Sequence, residues 1–159
     1  MTLLSSSRSN IKRSIDGYFN QNLSDTFSIH WEGLPFNNTT KSEWLMPRII
    51  EFITNFKRQG SGTQYGDDID IIFSIGIFVK KSNITIGGRE YAIRDIIAGY
   101  FKVGKVITIY DYSGDGSTNV GKMKVRDIIT DNILPESNDL YNYNLTYLIN
   151  ATVLTTNPT

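Results

Sequence analysis

The sequence predicts an α+β fold: a mainly antiparallel sheet with two helices packed on one face, and a long β-hairpin with a flexible tip. Three observations carry this reading. Ile69, Ile71, Phe73, Ile75, Ile77 and Val79 recur at every second position without a break, which is the period of a half-buried strand. Two segments instead show helical spacing: Ile11, Ile15, Tyr18, Phe19 and Leu23, then Tyr91, Ile93, Ile96, Ile97, Tyr100 and Phe101. The order is helix, strands, helix, strands, and hairpins can join most neighbouring strands, so antiparallel pairing under helices on one face is expected.

Taken in order, residues 1–8 are small and polar and read as a flexible arm. Ser9 or Asn10 is placed to cap the first helix, which should end near Asn22. Phe27–Trp31 reads as a short strand, followed by a turn and loop punctuated by Gly33, Pro35 and the Asn37-Asn38 pair. In the next strand Trp44, Met46, Ile50, Phe52 and Phe56 should share one face, with Ile49 and Ile53 on the other. Pro47 interrupts that run and demands an edge position or a bulge. The polar, glycine-rich stretch Lys57–Asp68 separates it from the alternating strand and reads as the hairpin tip.

The second helix is expected from near Thr85 to Gly104. Lys105–Tyr112 then reads as a strand, Ser113-Gly114-Asp115-Gly116 as a turn and Lys122–Ile129 as a strand of weaker alternation. Asp131, Asn132 and Pro135 mark a break. Tyr141, Tyr143, Leu145, Tyr147, Ile149, Ala151 and Val153 alternate with polar residues in a long last strand, and residues 155–159 form a tail. The 159 residues fit a single domain with its core at about 10–154.

Bulk composition narrows the function. Sixteen basic and sixteen acidic side chains cancel, whereas a protein that grips duplex DNA carries a basic excess. The absence of cysteine removes disulfides, thiolate nucleophiles and cysteine metal sites. Residues 1–7 lack a basic n-region and a long apolar run, and no stretch approaches the ~18 apolar residues of a spanning helix, so no membrane partner is expected.

Each candidate for chemistry has a plainer structural reading beside it. His30 is the single histidine and could act as a general base, but no nucleophile motif adjoins it and a structural role is preferred. Asp67, Asp68 and Asp70 could hold divalent ions for phosphate-ester chemistry. On a strand, however, Asp68 and Asp70 face away from the apolar side, as a solvated strand entry would. Asp111-Tyr112-Ser113-Gly114-Asp115-Gly116 matches the first half of a calcium loop, yet Lys122 stands where the last carboxylate ligand belongs, so a hairpin turn is preferred. Trp31 and Trp44 read as packing groups. Lys57, Arg58, Gln59, Gln64 and Tyr65 make the tip cationic and Tyr-bearing, suited to contacting a neighbouring subunit or partner. A nucleic-acid contact through Lys57 and Arg58 is the further option.

The run Ile29-His30-Trp31-Glu32-Gly33-Leu34-Pro35-Phe36 is an apolar strand, an aromatic-acid-small triplet and a Pro-Phe corner. With the helix before it, the strand pair around a variable loop after it, and Arg89-Glu90-Tyr91-Ala92-Ile93-Arg94-Asp95-Ile96-Ile97, it resembles the tail-terminator and tail-completion (neck) proteins of tailed bacteriophages over roughly residues 10–154. Trp31, Glu32, Pro35 and Phe36 are the family-like strand and corner. The resemblance implies a structural virion protein without a catalytic site, metal or cofactor. Such proteins form homo-oligomeric rings, often hexamers, that cap the tail tube, stop its polymerisation and join it to the head connector. DNA passes through the lumen without sequence-specific binding. Expected partners are the chain itself, the tail tube protein, a head-tail connector or neck protein, and the tail sheath, with assembly in a host bacterial cytoplasm. The alternatives are a head-tail connector or tail-completion subunit of the same fold and, further away, a metal-dependent phosphoesterase built on Asp67, Asp68 and Asp70.

Overall fold

The computed structural model describes residues 7–59, 64–81, 88–114, 116–135 and 139–156; for 56–59, 64–66 and 154–156 it describes the backbone alone. In chain order the elements are α1 (Ser7–Leu23), β1 (Ser28–Ile29), β2 (Glu43–Gln59), β3 (Gln64–Lys80), α2 (Arg89–Tyr100), β4 (Val106–Tyr110), β5 (Asn119–Ile133) and β6 (Leu140–Thr156). The strands form one six-stranded sheet in the order β1-β2-β3-β6-β5-β4. All neighbours pair antiparallel except β1 and β2. The expected α+β fold is therefore present, with both helices on one face.

The alternating run of β3 explains which face that is. Ile69, Ile71, Phe73, Ile75 and Ile77 are at most 1% exposed, and across the ladder they meet Ala151, Ile149, Tyr147, Leu145 and Tyr143 of β6. Ile11, Ile15, Phe19 and Leu23 of α1 lie one turn apart and pack onto this surface, as do Ile93 and Ile97 of α2. Phe101, just past α2, is the hub, with ring centroids 5.3 Å from Tyr18, 6.0 Å from Phe19, 5.7 Å from Phe73 and 5.6 Å from Tyr147. Aromatic pairs at such separations add about 0.5–1.5 kcal/mol each beyond area burial.

Arginine pairs fasten α2 to the sheet. Arg89 donates to both Glu43 oxygens at 2.8 Å. Arg94 donates to the Asp131 oxygens at 2.9 and 2.7 Å, and the Tyr143 hydroxyl donates to Asp131 at 2.5 Å. The bidentate fork favours the charged forms. Arg94 lowers the Asp131 pKa, while burial and then the bond to Asp131 push Tyr143 up to about 12.

Several expectations are corrected by the ladder. Helix α1 begins at Ser7, within the stretch read as an arm; residues 1–6 lie outside the described residues. Asn10 is no cap: it is buried inside the helix. The hairpin strands run through Gln59 and from Gln64, because β3 continues to pair with β6 as far as Thr156. The residues left for the flexible tip, 60–63, lie outside the described residues, as does the Thr85 cap. In β2 a bulge between Ile49 and Glu51 inserts Ile50, so Phe52 joins Ile49 on the helix side and Ile53 turns away, the reverse of simple alternation. Strand β5 extends through Asp131 and Asn132, with register shifts between Val125 and Asp127 and between Ile128 and Thr130 that blur its pattern.

Candidate interaction surface

The corner at residues 30–36 is architecture on two faces of the sheet. Trp31 is half-buried, with its ring edge-on to Phe19 of α1 at 6.0 Å and 78°. Phe36 stacks on His30 at 4.9 Å and 11° and lies 5.9 Å from Trp44, which in turn stacks on Phe78 at 5.3 Å and 7°. Trp44 faces away from the helices yet is 4% exposed, so the corner covers a small second core on the outer face. Gly76 makes that possible, since a Cβ there would lie 2.9 Å from the Phe78 ring. Arg48 donates to the His30 carbonyl at 2.7 Å and fixes the turn. Glu32 is exposed and lies 3.5 Å from Lys12, and Pro35 is exposed at the bend; a solvent-exposed pair of this kind contributes little to stability.

The candidates for chemistry are held by amides. Asp68 and Asp70 point to the outer face as expected, where Asn150 donates to one oxygen of each, at 2.5 and 2.8 Å. Asn55 donates to the second oxygen of Asp70 at 3.2 Å. Asp67 alternates to the opposite side, opposite Val153. Asp111 accepts from the Ser113 backbone and hydroxyl at 3.0 and 2.5 Å and from Asn10 at 3.4 Å, an Asx turn closing the β4–β5 connection. Among the described residues no three His, Cys, Asp or Glu groups are arranged to hold a metal ion.

Among the described residues two uncovered strand edges remain, one at each end of the sheet. At the β4 end, Ser14 of α1 accepts from the Tyr110 N–H at 3.0 Å and Asn10 accepts from the Tyr112 N–H at 2.9 Å. These helix side chains close the far part of the edge. Antiparallel alternation points the N–H groups of Val106 and Thr108 to the same side as that of Tyr110. There, an open groove of about 390 Å³ runs between α1 and β4, lined by Gly17, Tyr18, Gln21, Lys105, Val106 and Thr108 among others. Val106 is 48% exposed.

At the other end, β1 covers β2 only at Trp44 and Leu45, and the His30 N–H closes the contact on the Leu45 carbonyl at 2.8 Å. Pro47 follows on this edge, where its missing N–H removes no ladder bond, as its sequence position demanded. Past the bulge lies Glu51–Asn55, with Ile50 63% and Ile53 41% exposed.

Beyond the aromatic cluster at the corner the outer face carries mostly polar groups, with Ile72 and Leu148 paired among them, and its charges are divided. Asp68 and Asp70 lie on β3 beside β2, whereas Lys122 and Lys124 lie on β5 beside β4, separated by Asn150 and Thr152 of β6. The backbone of Lys57, Arg58, Gln59, Gln64 and Tyr65 belongs to β2 and β3, and their side chains lie outside the described residues. Sequence reasoning had no signal for the α1–β4 groove or the division of charge, because both depend on strand order. Among the described residues no helix is long and apolar enough to cross a membrane.

No protein-family model matches the chain, and no curated protein does. A solved structure of a protein whose name states no function is similar, with 14% identity over 88% of this chain and 94% of that chain and a TM-score of 0.55. At that identity the likeness speaks to the fold alone.

Proposed function

We propose that the chain is a structural virion protein: a tail terminator whose ring caps the tail tube, stops its growth and provides the joint to the head connector. The observation that supports this most is the pair of edges left uncovered among the described residues. Four antiparallel steps separate β2 from β4, so the two edge strands run in the same direction at opposite ends of one sheet. A rotation about an axis along the strands can bring one edge of a copy to the other edge of the next, which is the heterologous contact that closes into a ring. Helices on one face and mostly polar groups on the other suit such a ring. Amides and hydroxyls with balanced charges could line a lumen through which DNA slides, since there is no basic excess to hold phosphates.

In this reading the hairpin tip, residues 57–66, contacts a neighbouring subunit or partner. Deleting residues 58–65 should then alter ring assembly or tail length, and unchanged assembly would remove that contact from the reading. The function itself is tested by adding purified chain to polymerising tail tube protein and measuring tube length by electron microscopy. Short, capped tubes support a terminator. Binding to the head connector with no effect on tubes assigns the chain to the connector or tail-completion role instead. Binding to neither rejects the virion role.

A further inference from the structure

We infer that the junction between copies is a parallel strand pairing in which Val106–Thr108 of β4 in one copy takes Glu51–Asn55 of β2 from the next. This rests on the ring reading above and specifies its interface. Three independent features favour this occupant over others.

The first is hydrogen-bonding capacity. On β4, Val106 and Thr108 present outward N–H groups that no described residue of α1 caps, and both line the groove between α1 and β4. On β2, the edge near β1 is blocked by β1 itself and then by Pro47. Past the bulge, Arg8 of α1 donates to the Thr54 hydroxyl and lies over the Phe52 ring, but the backbone of Glu51–Asn55 has no outer strand among the described residues, and this stretch is about as long as β4, which has 5 residues. Backbone pairing with an uncovered strand is a common mode of recognition, and each side here offers the other what it lacks.

The second is direction. β2 and β4 run the same way within one sheet, so head-to-tail copies related by rotation along the strands meet in parallel. Two β4 edges related by a two-fold axis would instead meet antiparallel.

The third is charge. Docking β2 of one copy onto β4 of the next places Glu51 on the same face as Lys122, which lies across the small Thr108 side chain, and as Lys124, which lies across Val106, with Asp70 one strand further in. Among the described residues neither lysine forms an ion pair. An isologous contact would oppose lysine to lysine or carboxylate to carboxylate, which disfavours wrong pairings. Val106 and Ile53, both exposed in the single copy, would be covered together.

The natural chain has no cysteine, so engineered disulfides report the contact cleanly. Five variants are compared under mild oxidation: Thr108→Cys, Glu51→Cys and Ile53→Cys singly, and Thr108→Cys combined with each of the other two as alternative registers. None of the single variants should cross-link to itself, while a doubly substituted protein should give a ladder of covalent oligomers ending at the ring. Covalent dimers from Thr108→Cys alone, or no ladder in either register while the unmodified protein is a ring by mass, would overturn this junction and leave the ring reading standing. A chain that is monomeric in every variant, with and without tube protein, would overturn both. In parallel, Thr108→Pro removes an outward N–H without touching a β5 bond. Its circular dichroism should match the natural chain while its oligomer is lost, and an intact ring in that variant would also overturn the proposal.

Discussion

Tyr147 sits in the middle of β6, 0% exposed, with its hydroxyl buried and lacking a hydrogen-bond partner among the described residues. Burial pushes its phenol from 10.0 up to about 12. A group whose pKa is raised on folding contributes stability that is complete below the unfolded value and is lost as pH climbs through the folded one. For Tyr147 that window lies between pH 10.0 and about 12. A shift of about two units corresponds to ~2.7 kcal/mol in full. About half of it, ~1.4 kcal/mol, should be gone at about pH 11, where the unfolded chain is mostly ionised and the folded one is not.

Tyr147→Phe deletes this titration and keeps the ring that packs on Phe101 at 5.6 Å. At neutral pH the variant should be as stable as the natural chain or more so, because an unpaired buried hydroxyl costs about 1–3 kcal/mol. Near pH 11 the gap should widen in its favour by ~1.4 kcal/mol, since Tyr143 titrates in both proteins and cancels. Urea unfolding followed by circular dichroism at the two pH values measures it. A variant destabilised by more than about 1 kcal/mol at neutral pH, or a gap that does not change with pH, would refute the reasoning.

Other perturbations have outcomes of comparable definition. Phe101→Ala should cost about 3–5 kcal/mol and lower Tm by roughly 6–20 °C, because it empties the site where both helices meet Phe73 and Tyr147; calorimetry reads this directly. Gly121→Ala should destabilise by about 1–3 kcal/mol or more, since its Cβ would fall 2.1 Å from the Thr152 carbonyl oxygen, a backbone atom of β6, and hydrogen exchange should show the loss in β5 and β6 first. Asp131→Asn should cost about 0.5–1 kcal/mol at neutral pH, discounted for a partly exposed pair. The Asp131 pKa is lowered from 3.8 by Arg94, so its contribution is present above that value and lost as pH falls below it; acid titration of unfolding should show the two proteins converging there.

What was legible in the sequence followed from unbroken periodicity. The β3 alternation and the one-turn spacing of Ile11, Ile15 and Phe19 identify the core face correctly, because in each the local period equals the period of burial. Pattern fails where the backbone changes register. Ile50 bulges out of β2 and flips the side chains from Glu51 to Asn55, and two register shifts in β5 hide a strand that runs to Ile133. Asn10 reads as a cap because that residue type favours one, yet its partner is an N–H a hundred residues away, at Tyr112. The aromatic stack from His30 to Phe78 was equally invisible, since it joins a loop, two strands and a corner. The candidate surface was the least legible part. Whether a strand is an edge is a property of topology, and neither Val106 nor Glu51 carries a local sign of it.

We propose that this chain closes into a ring through heterologous contacts, and native mass measurement of the purified protein, alone and mixed with a tail tube protein, tests this most directly. A single closed oligomer of fixed subunit number, unchanged on further concentration and retained on the tube end, is the expected result. A strict monomer under both conditions, or an open-ended series of sizes growing with concentration, would contradict it.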